Sequence, residues 1–195
     1  MPIPELVIAS ANPDKVAEIA VVLEKLAVLI PRPEGMPDVV EDGENLEDNA
    51  RLKALAVCEF SGRPAVADDT GLEIDVLNGA PGVFSARFAG SDATYQQNVE
   101  KVLAELDGVQ MGQRTARFKT VAIVRYPDGH ELIANGTVEG HISLSPLGEQ
   151  GFGYDPIFVP VEGEGATFAQ MGHEKHRFSH RGRAFRSLGY MLGSN

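Results

Sequence analysis

Asp68 and Asp69 are adjacent carboxylates that follow the apolar run Ala65-Val66-Ala67 and precede Thr70-Gly71. Two such groups repel each other unless a cation or hydrogen-bond donors offset their charge, so the pair suits a hard metal ion. A polar turn capped by one Asp would use the same residues. Glu41, in Glu41-Asp42-Gly43-Glu44, can complete a coordination sphere or belong to a solvated acidic face. Ser10-Ala11-Asn12-Pro13-Asp14-Lys15 brings small residues, a helix start and a lysine together. The N–H groups of a first helical turn bind phosphate, although an ordinary capped helix is written the same way. No Walker loop accompanies it. In Gly151-Phe152-Gly153-Tyr154-Asp155-Pro156, glycines let backbone approach a flat ligand, an aromatic ring can stack on a base, and a carboxylate can accept from a purine edge or ribose. The alternative is a tight turn whose Phe and Tyr belong to the core. Lys175 and Ser179-His180-Arg181-Gly182 add donors at another helix start, and Arg87 can reach phosphate or form a salt bridge.

These residues sit on an alternation of strands and helices. Leu6 to Ala9 is a strand, after which Asn12 caps a helix with Pro13 at its first position. Val16, Ile19, Ala20, Leu23 and Leu26 recur at helical spacing, which packs one face on a sheet and leaves Glu18 and Glu24 toward water. Ala27 to Ile30 reads as a second strand and Pro31 to Asp38 as a connector. A helix from about Leu46 to Phe60, ended by Gly62, has Leu46, Ala50, Lys53, Ala54 and Val57 at spacings of three and four. That spacing turns Lys53 inward, where it needs an anionic partner. Cys58 falls on the apolar side.

Ala65 to Ala67 is a short strand ending at the Asp pair, and Leu72 to Val76 alternates again before the Asn78-Gly79 turn. Asp92 is positioned to cap a helix over about Ala93 to Leu106, stopped by Gly108. Thr115 to Tyr126 and Glu131 to Val138 flank Pro127-Asp128-Gly129 and form an antiparallel hairpin. Gly148 to Gly153 is a loop, Ile157 to Val159 a strand, and Ser179 a cap for a last helix to Leu192. Such interleaving predicts an α/β protein with a mixed sheet.

Composition bounds the function. With 195 residues, 43% hydrophobic and 23% charged, the chain has side chains for a real core. No run reaches the length of a membrane-spanning helix, no secretion signal opens the chain, and a single cysteine forbids an internal disulfide, which together predict a soluble cytoplasmic protein. A formal charge of -11 disfavours long nucleic acid. It permits a small phosphate ligand if a few Lys and Arg converge on it and a divalent cation screens the carboxylates.

In order and wording these blocks resemble the inosine triphosphate pyrophosphatases, or XTP/dITP diphosphatases, over almost the whole chain. Ser10 to Lys15 is similar to the family's T-G-N-x-x-K, and Glu47-Asp48-Asn49-Ala50 with Lys53 to its E-N-A-x-x-K-A helix. Ala67 to Gly71 with Gly79 to Gly90, Gly151 to Pro156, and Ser179 to Gly182 complete the match. Ser10-Ala11 replaces the usual Thr-Gly, Thr70 the commoner Ser, and Val40 stands where some relatives carry a second acid.

The resemblance implies one domain over residues 1–195, an elongated mixed β-sheet with flanking helices, and two lobes around a central active-site cleft. It implies Mg²⁺, a homodimer, and hydrolysis of ITP, dITP and XTP to monophosphate and pyrophosphate. By position, Asp69 resembles the general base and a metal ligand, Glu41 a second ligand, and Thr70 a substrate contact. Ser10, Ala11, Asn12, Pro13, Asp14, Lys15, Lys53 and Arg87 would face the phosphates. Phe152, Gly153, Tyr154, Asp155, Lys175, His180 and Arg181 would hold base and sugar. Preference for these bases would follow from a donor at the 6-oxo group, which mismatches adenine's amino group. The alternatives are a Maf-like pyrophosphatase for pyrimidine nucleotides and a non-catalytic nucleotide-binding module.

Overall fold

Short apolar runs can be buried on both faces only as inner strands, and Leu6-Val7-Ile8 is such a run. In the computed structural model, which describes residues 3–193, β1 (Glu5–Ile8) is parallel to both β2 (Val28–Ile30) and β3 (Ala65–Ile74). The two-residue β4 (Pro81–Gly82) is antiparallel to β3. β5 (Thr115–Arg125) neighbours β6 (Glu131–Ile142), and β7 (Phe158–Pro160) is antiparallel to β6. The strand order is β2-β1-β3-β5-β6-β7, a mixed sheet with β4 added on β3. The helices are α1 (Pro13–Leu23), α2 (Leu46–Ser61), α3 (Tyr95–Glu105), α4 (Phe168–Met171) and α5 (His180–Gly193).

The chain divides into two compact units. Unit 1 takes the residues up to Asp69, Thr120–Gly136 and everything from His180; unit 2 takes Thr70–Lys119 and Thr137–Ser179. In unit 1 the period of two along each strand sorts side chains onto two faces. Leu6, Ile8, Val66, Ala122 and Val124 pack with Ile19 and Leu23 of α1 and with Phe185 and Leu188 of α5. Val7, Ala9, Ala65, Ala67 and Ile123 pack with Ala50, Ala54, Val57 and Cys58 of α2. Each fully buried Leu, Ile or Phe contributes about 1.5–3 kcal/mol. Unit 2 has one core, in which Val99 and Val102 of α3 meet Leu72, Ile74, Phe118 and Val138. There Phe118 and Phe158 pack edge to face at 4.7 Å, with Phe168 5.2 Å from Phe158.

Several boundaries differ from the sequence reading. The Asp pair does not end a strand: β3 runs unbroken through Asp68, Asp69, Thr70 and Gly71, because cationic partners described below neutralise both carboxylates in place. α3 starts later than read, capped by Thr94 rather than Asp92; Thr94 and Gln97 form a reciprocal capping box. α1 stops at Leu23, β6 continues to Ile142, and the short α4 has no counterpart among the expected elements. Among the described residues no helix is long and apolar enough to cross a membrane.

Candidate active site

Alternation along β3 decides where the two aspartates go. Asp68 shares the face of Val66, toward α1 and α5, and Asp69 shares the face of Ala65 and Ala67, toward α2. On the first face, Lys15 Nζ lies 3.3 Å from Asp68 Oδ2, and the Arg181 guanidinium reaches the same oxygen at 3.3 Å through both Nε and Nη2. Arg181 Nη1 also donates to Glu18 Oε2. Asp68, Arg181 and Glu18 are all buried. On the second face, Lys53 Nζ donates to Asp69 Oδ1 at 2.9 Å and to Glu41 Oε2 at 3.1 Å. Asn49, one turn earlier on α2, approaches Asp69 Oδ2 at 3.4 Å through its amide nitrogen and accepts from Gly43 N at 2.9 Å.

These contacts set protonation. Burial alone would raise Asp68, but Lys15, Arg181 and Lys53 overcome it and hold its carboxyl far below the usual range. Asp69 moves the other way: burial raises it, and Lys53 and Lys15 offset that only in part. Burial lowers Lys15 despite the attraction of Asp68. For Lys53 burial pulls down, yet Asp69, Asp68 and Glu41 together win and keep the ammonium charged.

The loop before α1 spends much of its donor capacity on itself. Asn12 Oδ1 accepts from Asp14 N at 2.9 Å and Lys15 N at 3.3 Å, and Ser10 Oγ accepts from Asn12 N at 3.2 Å. In this structure the first-turn N–H groups of Asp14 and Lys15 are therefore capped by the Asn12 side chain. Ala11, Pro13 and Asp14 are exposed and carry no cation; the positive charge of this segment is Lys15.

Unit 2 holds the glycine-rich loop. Asp155 and Lys175 form a buried ion pair, and Asp155 Oδ2 also accepts from Phe152 N at 3.0 Å. Gly151 is required there, since a Cβ would stand 2.0 Å from that oxygen at a φ of +76°. Gly153 likewise adopts a positive φ. The Phe152 ring lies 5.6 Å from the Tyr95 ring, and Lys175 Nζ sits 5.5 Å from its centroid. Tyr154, expected against a base, is instead a core residue, its hydroxyl donating to the Ser85 carbonyl at 2.8 Å. Thr70, half-buried, follows Asp69 on β3. Arg87 ends a single helical turn, Ser85–Arg87, with its guanidinium 5.4 Å from the Phe84 ring centroid.

Unit 1 thus brings together Glu41, Lys15, Lys53, Asp69 and Arg181, drawn from distant parts of the sequence. It places Arg181 and His180 at the start of α5. Glu18, read as facing water, is 7% exposed because α5 delivers Arg181 to it. Asn49 stands in the sequence motif of α2 without a role of its own, and Tyr95 carries no sequence signal. Glu18 carries one local signal, standing three residues after Lys15 on the same helix face; for Tyr95 the position depends on a contact with Phe152, 57 positions further along the chain, which no local pattern records.

A model of the Ham1 family matches residues 6–190. The dITP/XTP pyrophosphatase of Geobacillus kaustophilus is 44% identical over 189 residues, covering 94% of this chain and 92% of its own. A HAM1 protein from Coxiella burnetii superposes with a TM-score of 0.88 at 40% identity, over 98% of this chain and 100% of that one. A nucleoside-triphosphatase, or dITP/XTP pyrophosphatase, from Mycobacterium abscessus gives 0.74 at 40% identity, over 96% and 99%. With motifs, fold and near full-length similarity in agreement, the chain belongs to the Ham1 family.

Proposed function

We propose that this protein hydrolyses deaminated purine nucleoside triphosphates, dITP, XTP and ITP, to the monophosphate and pyrophosphate in the presence of Mg²⁺. The observation that carries the reading is the buried Lys53–Asp69 contact with Glu41 on the same ammonium, beside the Lys15–Asp68–Arg181 network. The curated relatives' names supply the substrate class.

Four carboxylates, Glu18, Glu41, Asp68 and Asp69, stand with three cations, Lys15, Lys53 and Arg181. A triphosphate adds about four negative charges, so these side chains do not balance it without a divalent ion. The donors fit one. Asp69 and Glu41 supply hard oxygen donors in one neighbourhood, both reaching Lys53 Nζ, and Mg²⁺ commonly takes one or two carboxylates plus substrate phosphates. Among the described residues no larger His, Cys or carboxylate cluster forms a closed metal cage. Asp69 and Glu41 would hold the ion, which supplies charge neutralisation at the phosphates.

This chain's own residues then do the rest. Lys53 occupies Asp69 Oδ1, which leaves Oδ2, with only the long Asn49 contact, to take the proton of an attacking water. Lys15, paired with Asp68, would meet a phosphate oxygen, and Arg181 buttresses Asp68. In unit 2, Phe152 offers a ring for the base and Lys175, fixed by Asp155, a donor for its oxo group. A homodimer is part of the same proposal, read as twice the monomer mass in sedimentation.

The test is a substrate panel of dITP, XTP, ITP, dTTP and UTP with separate pyrophosphate and orthophosphate readouts, with and without Mg²⁺. Pyrophosphate from the first three is the expected result. Orthophosphate release, or preference for the pyrimidines, would overturn the proposal.

A further inference from the structure

The turn that carries Arg87 is held from several sides, all within unit 2. Asn98, one turn into α3 and 2% exposed, accepts from Ala89 N at 2.8 Å and donates to the Ala86 carbonyl at 3.0 Å. One buried amide therefore ties the main chain on both sides of Arg87. Around it, Ser85 Oγ accepts from Leu72 N at 2.9 Å and donates to Gly82 O at 2.6 Å. Lys101 Nζ, on the next turn of α3, donates to the Phe88 carbonyl at 2.7 Å. The guanidinium itself stays half-buried above the exposed Phe84 ring.

A three-residue turn on a protein surface has little intrinsic stability, and a mobile arginine would lose conformational freedom on meeting an anion. An asparagine that buries both ends of its amide does so at a desolvation cost unless both bonds form. Asn98 meets that condition only when the turn adopts this one conformation, so the helix restricts the turn rather than merely touching it.

We propose that Asn98 is a positioning residue for Arg87, presetting its guanidinium for a phosphate group of the substrate. The inference rests on the functional reading above together with the expectation, implied by the family resemblance, that Arg87 faces the substrate's phosphates. Its physical content is pre-organisation: the ordering of the turn is completed during folding rather than during binding.

A double-mutant cycle tests it, using the full chain, dITP with Mg²⁺, and pyrophosphate release. Asn98→Ala lowers kcat/KM on the order of tenfold, mostly through KM. Arg87→Ala lowers it at least as far, and adding Asn98→Ala to Arg87→Ala costs nothing more. Asn98→Asp, which keeps the acceptor for Ala89 N, runs the same cycle if the alanine variant does not fold, with thermal midpoints measured for every protein. Equal losses from the Asn98 change in both backgrounds overturn the proposal, because a packing role does not depend on Arg87. Full kcat/KM in Arg87→Ala overturns it too, since there is then nothing to position. Absence of pyrophosphate release by the unaltered protein removes the functional reading itself and this inference with it, whereas an additive cycle removes the inference alone.

Discussion

Asp69 and Lys15 are both buried ionisable groups, and burial displaces them toward each other: the carboxyl upward, the ammonium downward. A base must be ionised and a phosphate-facing lysine charged, so the two displacements narrow the working pH range from both ends. The expected kcat/KM profile is a bell whose acid limb lies above the ordinary aspartate value and whose alkaline limb lies below the ordinary lysine value. Raising Mg²⁺ is expected to move the acid limb down, because a bound cation favours the ionised carboxylate. An acid limb that ignores Mg²⁺ would remove Asp69 from the metal. Asp69→Asn keeps the shape and loses the proton acceptor; turnover is expected to fall by at least about 10²-fold. Its thermal midpoint should show a folded protein, and retained turnover would assign the base elsewhere.

At the scale of elements, the site depends on how closely α5 approaches β6. A Cβ at Gly136 would stand 2.0 Å from the His180 carbonyl oxygen and 2.6 Å from Ala184 N, both backbone atoms that cannot swing aside. Gly136→Ala is therefore expected to destabilise by about 1–3 kcal/mol through overpacking. Because the displaced segment begins with His180 and Arg181, kcat/KM should fall as well, while Gly62→Ala, at a helix end with nothing within 4 Å of its Cβ, leaves activity unchanged. Chemical denaturation and pyrophosphate release on the same samples separate the two effects. A Gly136→Ala protein with unaltered stability would show that α5 accommodates the methyl group by shifting.

For the whole molecule, a charge of -11 and the proposed polyanionic substrate have the same sign, so on that proposal a divalent ion would assist encounter as well as chemistry. Chelation with EDTA is expected to abolish turnover and to leave the thermal midpoint of the substrate-free protein in place, since its core is built from apolar side chains. Turnover should return on adding Mg²⁺. A large fall in midpoint on chelation would mean that an ion also holds the fold.

The sequence by itself determined most of the elements and the inward face of the α2 lysine. Helical spacing turned Lys53 inward, a strand-length apolar run located β1, alternation around the Pro127-Asp128-Gly129 turn located the β5–β6 hairpin, and Asn12 and Pro13 marked the start of α1. Local periodicity reports which face of an element is apolar, and these features need no more than that. Only the tertiary structure decided what each charge would meet. Glu18 reads as a solvent-facing residue until Arg181, 163 positions away, arrives beside it. Asp68 and Asp69 read as an adjacent pair, metal-binding or part of a polar turn, and the pleat of β3 sends them to opposite faces, one to Lys15 and Arg181 and the other to Lys53. Tyr154 reads as either a base contact or a core residue, and packing buries its ring and gives its hydroxyl to the Ser85 carbonyl. Each of these outcomes turns on an ion pair or hydrogen bond between segments remote in sequence, and a local pattern carries no information about such partners.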